Sequence, residues 1–273
     1  MAFDGKRILV LGGGNMGCAL MGGWLDGGLD PSTLLVVDPS RGEALAKLIE
    51  KHGFRHETEV PSGFDADVAL IAVKPQMMAD ALPALEPALG ERTLAVSIAA
   101  GTLVDTLRKH VGERPIVRAM PNTPSLIGRG VTGAFANDKV SAEQKETADQ
   151  LLSASGPVEW VETEELIDAV TGVSGSGPAY VFHLAECMAK AGEAVGLPAD
   201  LAMRLAMHTV AGAGELMVRS DETPAKLRKN VTSPNGTTEA GLSVLMNEEN
   251  GLPPLIEKTV KAARDRAIEL SKD

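Results

Sequence analysis

The sequence predicts an α/β protein in two parts, an N-terminal doubly wound, mostly parallel sheet followed by an all-helical C-terminal domain. Three observations predict it. "KRILVLGGGNMGCALMGGWL" (Lys6 to Leu25) joins an apolar, β-branched run to a glycine-rich turn and then to the helical spacing of Met16, Leu20 and Trp24. Further apolar runs then alternate with helically periodic segments as far as about residue 160, the signature of parallel strands with helical crossovers. From Glu164 the strand signal fades and helical segments follow one another to the end. A chain of 273 residues accommodates two ordinary domains. The division is placed near Val161 to Glu165, giving 1–163 and 164–273.

In the first part Gly12, Gly14 and Gly17 supply the G-x-G-x-x-G pattern. The first glycine permits a tight turn, the second lets backbone approach a pyrophosphate, and the third lets helix pack on strand. Free N–H groups of Asn15 and Met16, at the start of the helix, would then face the phosphates. Glycine is common, so context decides. "LLVVDP" places Asp38 at the end of the next strand, and 38 − 17 = 21 residues past the last glycine is near the spacing of a ribose-binding acid. Strand, glycines, helix and acid in this order predict a Rossmann-type dinucleotide site. Asp38 would accept from a ribose 2′-hydroxyl and repel a 2′-phosphate, whereas Ser40 and Arg41 could hold that phosphate, so both NADH and NADPH remain open.

Further strands are predicted at "DVALIAV" (67–73), "TLAVSIAA" (93–100), "PIVRAMP" (115–121) and "GVTGAFA" (130–136), with helices over "RGEALAKLIEKHG" and "GTLVDTLRKHV". Ligands of doubly wound sheets sit at the carboxyl ends of the strands. That selects Val73, Lys74 and Pro75, Ala100 and Gly101, and "MPNTP" at Met120 to Pro124, although Lys-Pro and Pro-Asn-Thr-Pro are also ordinary loop punctuation.

The second part predicts helices over "EELIDAVTGV", "GPAYVFHLAECMAKAGEAVGL", "ADLAMRLAMHTVAGAGELMV", "TPAKLRKNV", "TTEAGLSVLMNEEN" and "PPLIEKTVKAARDRAIELS". Thr223-Pro224 has the cap-then-proline order of a helix start. Ala206, Met207, Ala211 and Gly214 permit close helix contacts, which suit a subunit interface or helix packing inside one subunit.

A net charge of −11 and a pI near 5.0 argue against a general nucleic-acid or anionic-membrane surface. No apolar run is long enough to span a bilayer, no leader pattern precedes the first strand, and Cys18 and Cys187 give no disulfide framework, so a cytoplasmic protein is expected. No metal is expected either. His52 and His56 have i, i+4 spacing but stand in a polar stretch that reads as a solvated helix end, and His110, His183 and His208 are scattered. Both cysteines read as small hydrophobes. Two hydroxyl- and glycine-rich turns remain, "VSGSGPAY" (173–180) and "VTSPNGTT" (231–238), each of which is either a well-capped helix start or a carboxylate-binding one.

Over essentially its whole length the chain resembles the pyrroline-5-carboxylate reductases. "VLGGGNMGCAL", "AVKPQ", "SIAAG", "RAMPNTP", "GSGPAYVF" and "NVTSPNGTT" stand in that family's order. The resemblance implies a C-terminal domain that interlocks two subunits, and NAD(P)H-dependent reduction of a cyclic imine to L-proline. It implies that Gly12 through Met16 hold the pyrophosphate, that Lys74 and Pro75 line the ribose, and that Met120, Pro121 and Asn122 flank the nicotinamide. It implies further that Ser233 with the Gly236 and Thr237 amides binds the substrate carboxylate, while the Thr238 hydroxyl faces the ring nitrogen as the catalytic contact. Two departures stand out. Asn235 occupies a position where many members have glycine, and "VDPSR" stands where members often carry Asn or Ser with Arg.

Two other readings carry different consequences. A β-hydroxyacid dehydrogenase-like oxidoreductase is similar around "GVSGSGPAYVF" but has a catalytic lysine four residues after the last glycine, where 177 + 4 gives Val181 here. A non-catalytic dinucleotide sensor needs the glycine turn and has no use for "SPNGTT".

Overall fold

The computed structural model describes residues 3 and 5–271. Its elements run β1 (Ile8–Leu11), α1 (Asn15–Asp26), β2 (Leu34–Val37), α2 (Glu43–His52), β3 (Arg55–Glu57), β4 (Ala66–Ile71), α3 (Met78–Ala81), β5 (Leu89–Ser97), α4 (Val104–Val111), β6 (Ile116–Met120), β7 (Thr132–Ala136), α5 (Ala142–Ser153) and β8 (Val158–Trp160). Helices follow: α6 (Leu166–Val170), a π-helical turn at Thr171–Gly175, α7 (Gly177–Ala194), α8 (Ala199–Arg219), α9 (Pro224–Asn230), α10 (Thr237–Leu245) and α11 (Leu252–Leu270).

The eight strands form one sheet in the order β3-β2-β1-β4-β5-β6-β7-β8, parallel throughout except for the antiparallel β6–β7 pair. Order reverses between β1 and β4, the switch point at which doubly wound sheets open a crevice. Strands β1 and β2 are apolar and buried at every position because both faces are covered. Ile8 and Val10 join one buried cluster with Leu20, Met21 and Trp24 of α1 and Leu151 and Leu152 of α5. Leu9 and Leu11, one residue out of phase, join the opposite cluster with Met78, Val104, Leu107 and Val111. The buried Trp24 indole donates to the Leu151 carbonyl at 2.6 Å, so its polar atom is satisfied.

Four elements, β3, α3, α5 and β8, add to those expected. Strands β3 and β8 have three residues each and pair on one side only, β3 with β2 and β8 with β7. As an edge strand β3 carries Arg-His-Glu, which blunts the edge and erases the apolar alternation. His56 therefore lies in a strand, and the expected single polar helix end over His52 and His56 is corrected: α2 stops at His52, with Gly53 in the left-handed conformation at φ 74°. Helix α5 is marked mainly by its capping box, in which Ser141 Oγ accepts the Gln144 N–H and Gln144 Oε1 accepts the Ser141 N–H.

The chain divides into two compact units, Met1–Gly175 with Ala263–Asp273, and Ser176–Ala262. The helix expected over 164–173 ends at Val170 and continues as the π turn, and the one expected to reach residue 250 ends at Leu245. Asn247 explains the second stop, because its Oδ1 accepts the N–H groups of Glu249 and Asn250 and turns the backbone out of the helix.

Candidate functional site

The glycine loop sits at the carboxyl end of β1, where sterics dictate its composition. Gly12 adopts φ 100°, and a Cβ there would stand 2.8 Å from the Ala72 carbonyl oxygen. A Cβ on Gly17 would come within 2.7 Å of the Gly12 carbonyl, so α1 could not approach β1. Gly14 faces open space, and as N-cap of α1 it supplies no side-chain acceptor. The first-turn amides of a twelve-residue helix are thus left without a side-chain cap beside a bare backbone, a fit for the pyrophosphate of a dinucleotide at Gly12, Gly14, Asn15 and Met16.

Cys18 backs this loop. Its Sγ–H donates to the Gly13 carbonyl at 3.2 Å, and burial, then the nearby Asp38 carboxylate, push the thiol up to about 11. It stays protonated and inert at neutral pH.

Asp38 follows β2 and is half-buried. Its Oδ2 accepts the Gly13 N–H at 2.7 Å, and its Oδ1 accepts the Ser40 N–H at 2.8 Å and the Ser40 hydroxyl at 3.2 Å. One carboxylate therefore ties the glycine loop to the turn after β2. Arg41, exposed, donates through Nε to His56 Nδ1 at 3.0 Å, while His56 Nε2 lies 3.0 Å from the Asp38 carbonyl. Sequence reasoning missed His56 because β3 is too short and polar to be seen. The signal that could have found it is the parallel register, Val36 opposite His56, which only tertiary pairing reveals.

The other expected residues stand on the same carboxyl edge. Val73 flanks Gly12, with its Cγ1 3.1 Å from where a Cβ on that glycine would lie. Lys74 is exposed and caps the short 3-10 turn that Pro75 begins. Ala100 and Gly101 form the turn after β5, with Gly101 at φ 71°. Met120 ends β6, and its Cε stands 2.7 Å from a Cβ placed on Gly175, so the Met120 side chain packs against that residue of the π turn. Pro121 is buried. Asn122 is 9% exposed and committed internally: its Oδ1 accepts the Val131 N–H at 3.0 Å and its Nδ2 donates to the Ser174 carbonyl at 3.2 Å. Asn122 thus fixes the path of the π turn.

Beneath Met120 lies a second device that sequence reasoning left out. Arg118, 2% exposed on β6, donates to Glu164 Oε1 at 3.1 Å and to Asp168 Oδ1 at 3.0 Å, and Glu164 Oε1 also accepts the Val104 N–H at 2.8 Å. A buried guanidinium so paired locks β6, α4 and α6 together. An open groove of about 630 Å³ lies at the opposite, amino ends of the strands, and Lys6–Glu143 and Lys139–Glu113 pair along it.

In the second unit "SPNGTT" forms a tight turn into α10. The Gly236 N–H donates to the Ser233 carbonyl at 3.0 Å, and a Cβ on Gly236 would overlap Ser233 Oγ. Asn235 adopts φ 58°, the one positive φ among the described non-glycine residues, so it keeps the left-handed geometry that glycine would allow. Its N–H donates to Glu239 Oε2 at 2.7 Å, so a residue in the first turn of α10 braces the loop. Gly236, the N-cap, has no side-chain cap bond, which leaves the first-turn N–H groups and the hydroxyls of Ser233, Thr237 and half-buried Thr238 around the helix start. Among the described residues no three His, Cys, Asp or Glu side chains are grouped to hold a metal.

A glycine loop opening a helix at the carboxyl edge of a doubly wound sheet, its acid tied to the loop and an arginine beyond it, defines an oxidoreductase of the dinucleotide-dependent class. Comparison with known proteins narrows the class. Residues 164–270 match the family described as pyrroline-5-carboxylate reductase dimerisation, and residues 7–101 match NADP oxidoreductase, coenzyme F420-dependent. A pyrroline-5-carboxylate reductase of Pseudomonas aeruginosa is 44% identical over 267 residues, 97% of each chain. The structure of a pyrroline-5-carboxylate reductase from Coxiella burnetii superposes with a TM-score of 0.92 at 38% identity, covering 99% of this chain and 100% of that one. The Plasmodium falciparum pyrroline carboxylate reductase with NADP bound gives 0.79 at 28%, with 98% and 99% covered. The chain belongs to the pyrroline-5-carboxylate reductase family.

Proposed function

We propose that the chain reduces 1-pyrroline-5-carboxylate to L-proline, the last step of proline biosynthesis, with NADPH or NADH as hydride donor. The observation that carries the reading is the Ser233–Thr238 turn, which keeps a left-handed residue at 235 and an uncapped helix start ringed by hydroxyls. Nothing in dinucleotide binding calls for such a turn in the helical unit, whereas a small carboxylate does.

Bound NAD(P)H supplies a hydride to the imine carbon, and the ring nitrogen keeps the proton that made the imine electrophilic, so a secondary amine results. The residues have little bond-breaking left to assist. The Ser233 hydroxyl with the Thr237 amide holds the carboxylate, the Gly236 N–H, already bonded to the Ser233 carbonyl, shapes the turn that presents them, and the Thr238 hydroxyl stands by the ring nitrogen. Gly12, Gly14, Asn15 and Met16 take the pyrophosphate, Asp38, Ser40 and Arg41 the adenosine ribose, and Val73, Lys74, Pro75, Ala100 and Gly101 the path between. Met120, Pro121 and the rigidly bonded Asn122 form the floor at the nicotinamide. Catalysis then rests on orientation, which can supply several kcal/mol of a barrier without an acid or base. The helical unit mediates self-association. A soluble substrate and dinucleotide, with no helix among the described residues long and apolar enough to cross a membrane, fit a cytoplasmic enzyme.

Loss of NAD(P)H absorbance on adding the imine tests the activity. Thr238→Ala is expected to lower kcat roughly ten- to hundredfold while leaving dinucleotide affinity unchanged, because one hydrogen bond to a charged nitrogen is removed. Unchanged kcat and KM in that variant would sink the role of Thr238.

A further inference from the structure

We propose that His56 is the positioning residue that holds Arg41 at the adenosine end of the cofactor site, and that this pair gives the chain a preference for the dinucleotide carrying a 2′-phosphate. The inference rests on the cofactor site proposed above.

Hydrogen-bond chemistry fixes the state of the ring. The Asp38 carbonyl oxygen, 3.0 Å from His56 Nε2, can only accept, so Nε2 carries the proton. Arg41 Nε, 3.0 Å from Nδ1, can only donate, so Nδ1 presents its lone pair. The chain Arg41–His56–Asp38 backbone is therefore directional. It fastens the guanidinium through its inner nitrogen. Among the described residues no carboxylate pairs with Arg41.

The nearby acid does not oppose a phosphate as strongly as its identity suggests. Both Asp38 oxygens already receive backbone N–H groups, from Gly13 and from Ser40, and the Ser40 hydroxyl adds a third donor. These donors draw the carboxylate's charge towards the glycine loop. The Arg41 side chain, three residues past Asp38, is left to face a 2′-phosphate, with planar donors suited to bidentate contact. A freely rotating Arg41 would lose rotamer entropy on each binding event, and the bond to His56 removes part of that loss beforehand.

The test is direct titration of NADPH and of NADH by nicotinamide fluorescence, without substrate, in the full-length chain and in R41A, H56A, H56N and R41A/H56A. Expected is a roughly tenfold greater rise in Kd for NADPH than for NADH in H56A, the equivalent of one charge-assisted hydrogen bond. H56N is expected to recover most of it, since its amide oxygen can stand where Nδ1 stood, and R41A/H56A should be no weaker for NADPH than R41A. Equal loss for both dinucleotides in H56A, failure of H56N to rescue, or additive effects in the double variant would overturn the proposal. Because no turnover is read, an inactive wild type refutes the proposed reaction and still leaves these affinities to decide the role of His56.

Discussion

The two units treat their apolar residues in opposite ways. In the sheet unit the aliphatic side chains of β1, β2, β4, β5 and β6 are almost wholly buried between α1 and α5 on one face and α3 and α4 on the other. In the helical unit of the single chain Phe182 is 63% exposed, Val218 75% and Val244 73%, with Met203, Leu205, Met207 and Leu255 also open. An apolar surface on this scale is not that of a self-sufficient monomer. The sheet unit completes its core from its own sequence, whereas the helical unit completes its core by association, as the dimerisation family it matches would have it.

The largest expected effect breaks the second half of that contrast. Phe182→Glu should abolish self-association at micromolar concentration, seen as a monomer by analytical ultracentrifugation, since burying a lone carboxylate in an apolar contact costs several kcal/mol. A variant that stays assembled would show that this face is covered in some other way. Next comes a strike at the sheet unit from within. Arg118→Ala leaves Glu164 and Asp168 facing a void beside each other, and about 3–5 kcal/mol of stability should be lost in denaturant unfolding, without a change in oligomeric state.

A smaller effect follows from Cys18. Its thiol keeps its proton in the folded chain up to about 11 and would lose it near 9.0 when unfolded, so between those values the folded state binds more protons. Stability should therefore fall as pH rises from 9 to 11, by of order 1–2 kcal/mol, and Cys18→Ala should flatten that slope. The smallest effect sharpens the reading of the turn. Asn235→Gly should be close to neutral in stability, whereas Asn235→Ala should lose about 1 kcal/mol, because alanine has no polar side chain to ease a φ of 58°.

Much of the sheet was legible because its strands are buried on both faces and so read as unbroken apolar runs. The strands that escaped notice, β3 and β8, are the ones at the edges, where solvent permits Arg55, His56 and Glu57 or a half-exposed Val-Glu-Trp. The same holds at the site. Gly12 and Gly17 were readable because their backbone geometry tolerates no side chain, and that constraint is written in residue identity. Asp38 was readable as an acid at the right spacing, but its bonds to Gly13 and Ser40 were not.

Sequence by itself determined the order of strand and helix, the glycine loop, the hydroxyl-rich turn at 233–238 and, through Asn235, the one place where a left-handed residue replaces glycine. These are local properties, set by periodicity and by which residues a turn tolerates. Only the tertiary structure decided that His56 meets Arg41, that Asn122 is spent on the π turn, and that Arg118 joins Glu164 and Asp168. Those contacts link residues 15, 52 and 50 positions apart, and no local pattern specifies them because each exists only once strand pairing and helix packing have brought distant elements together.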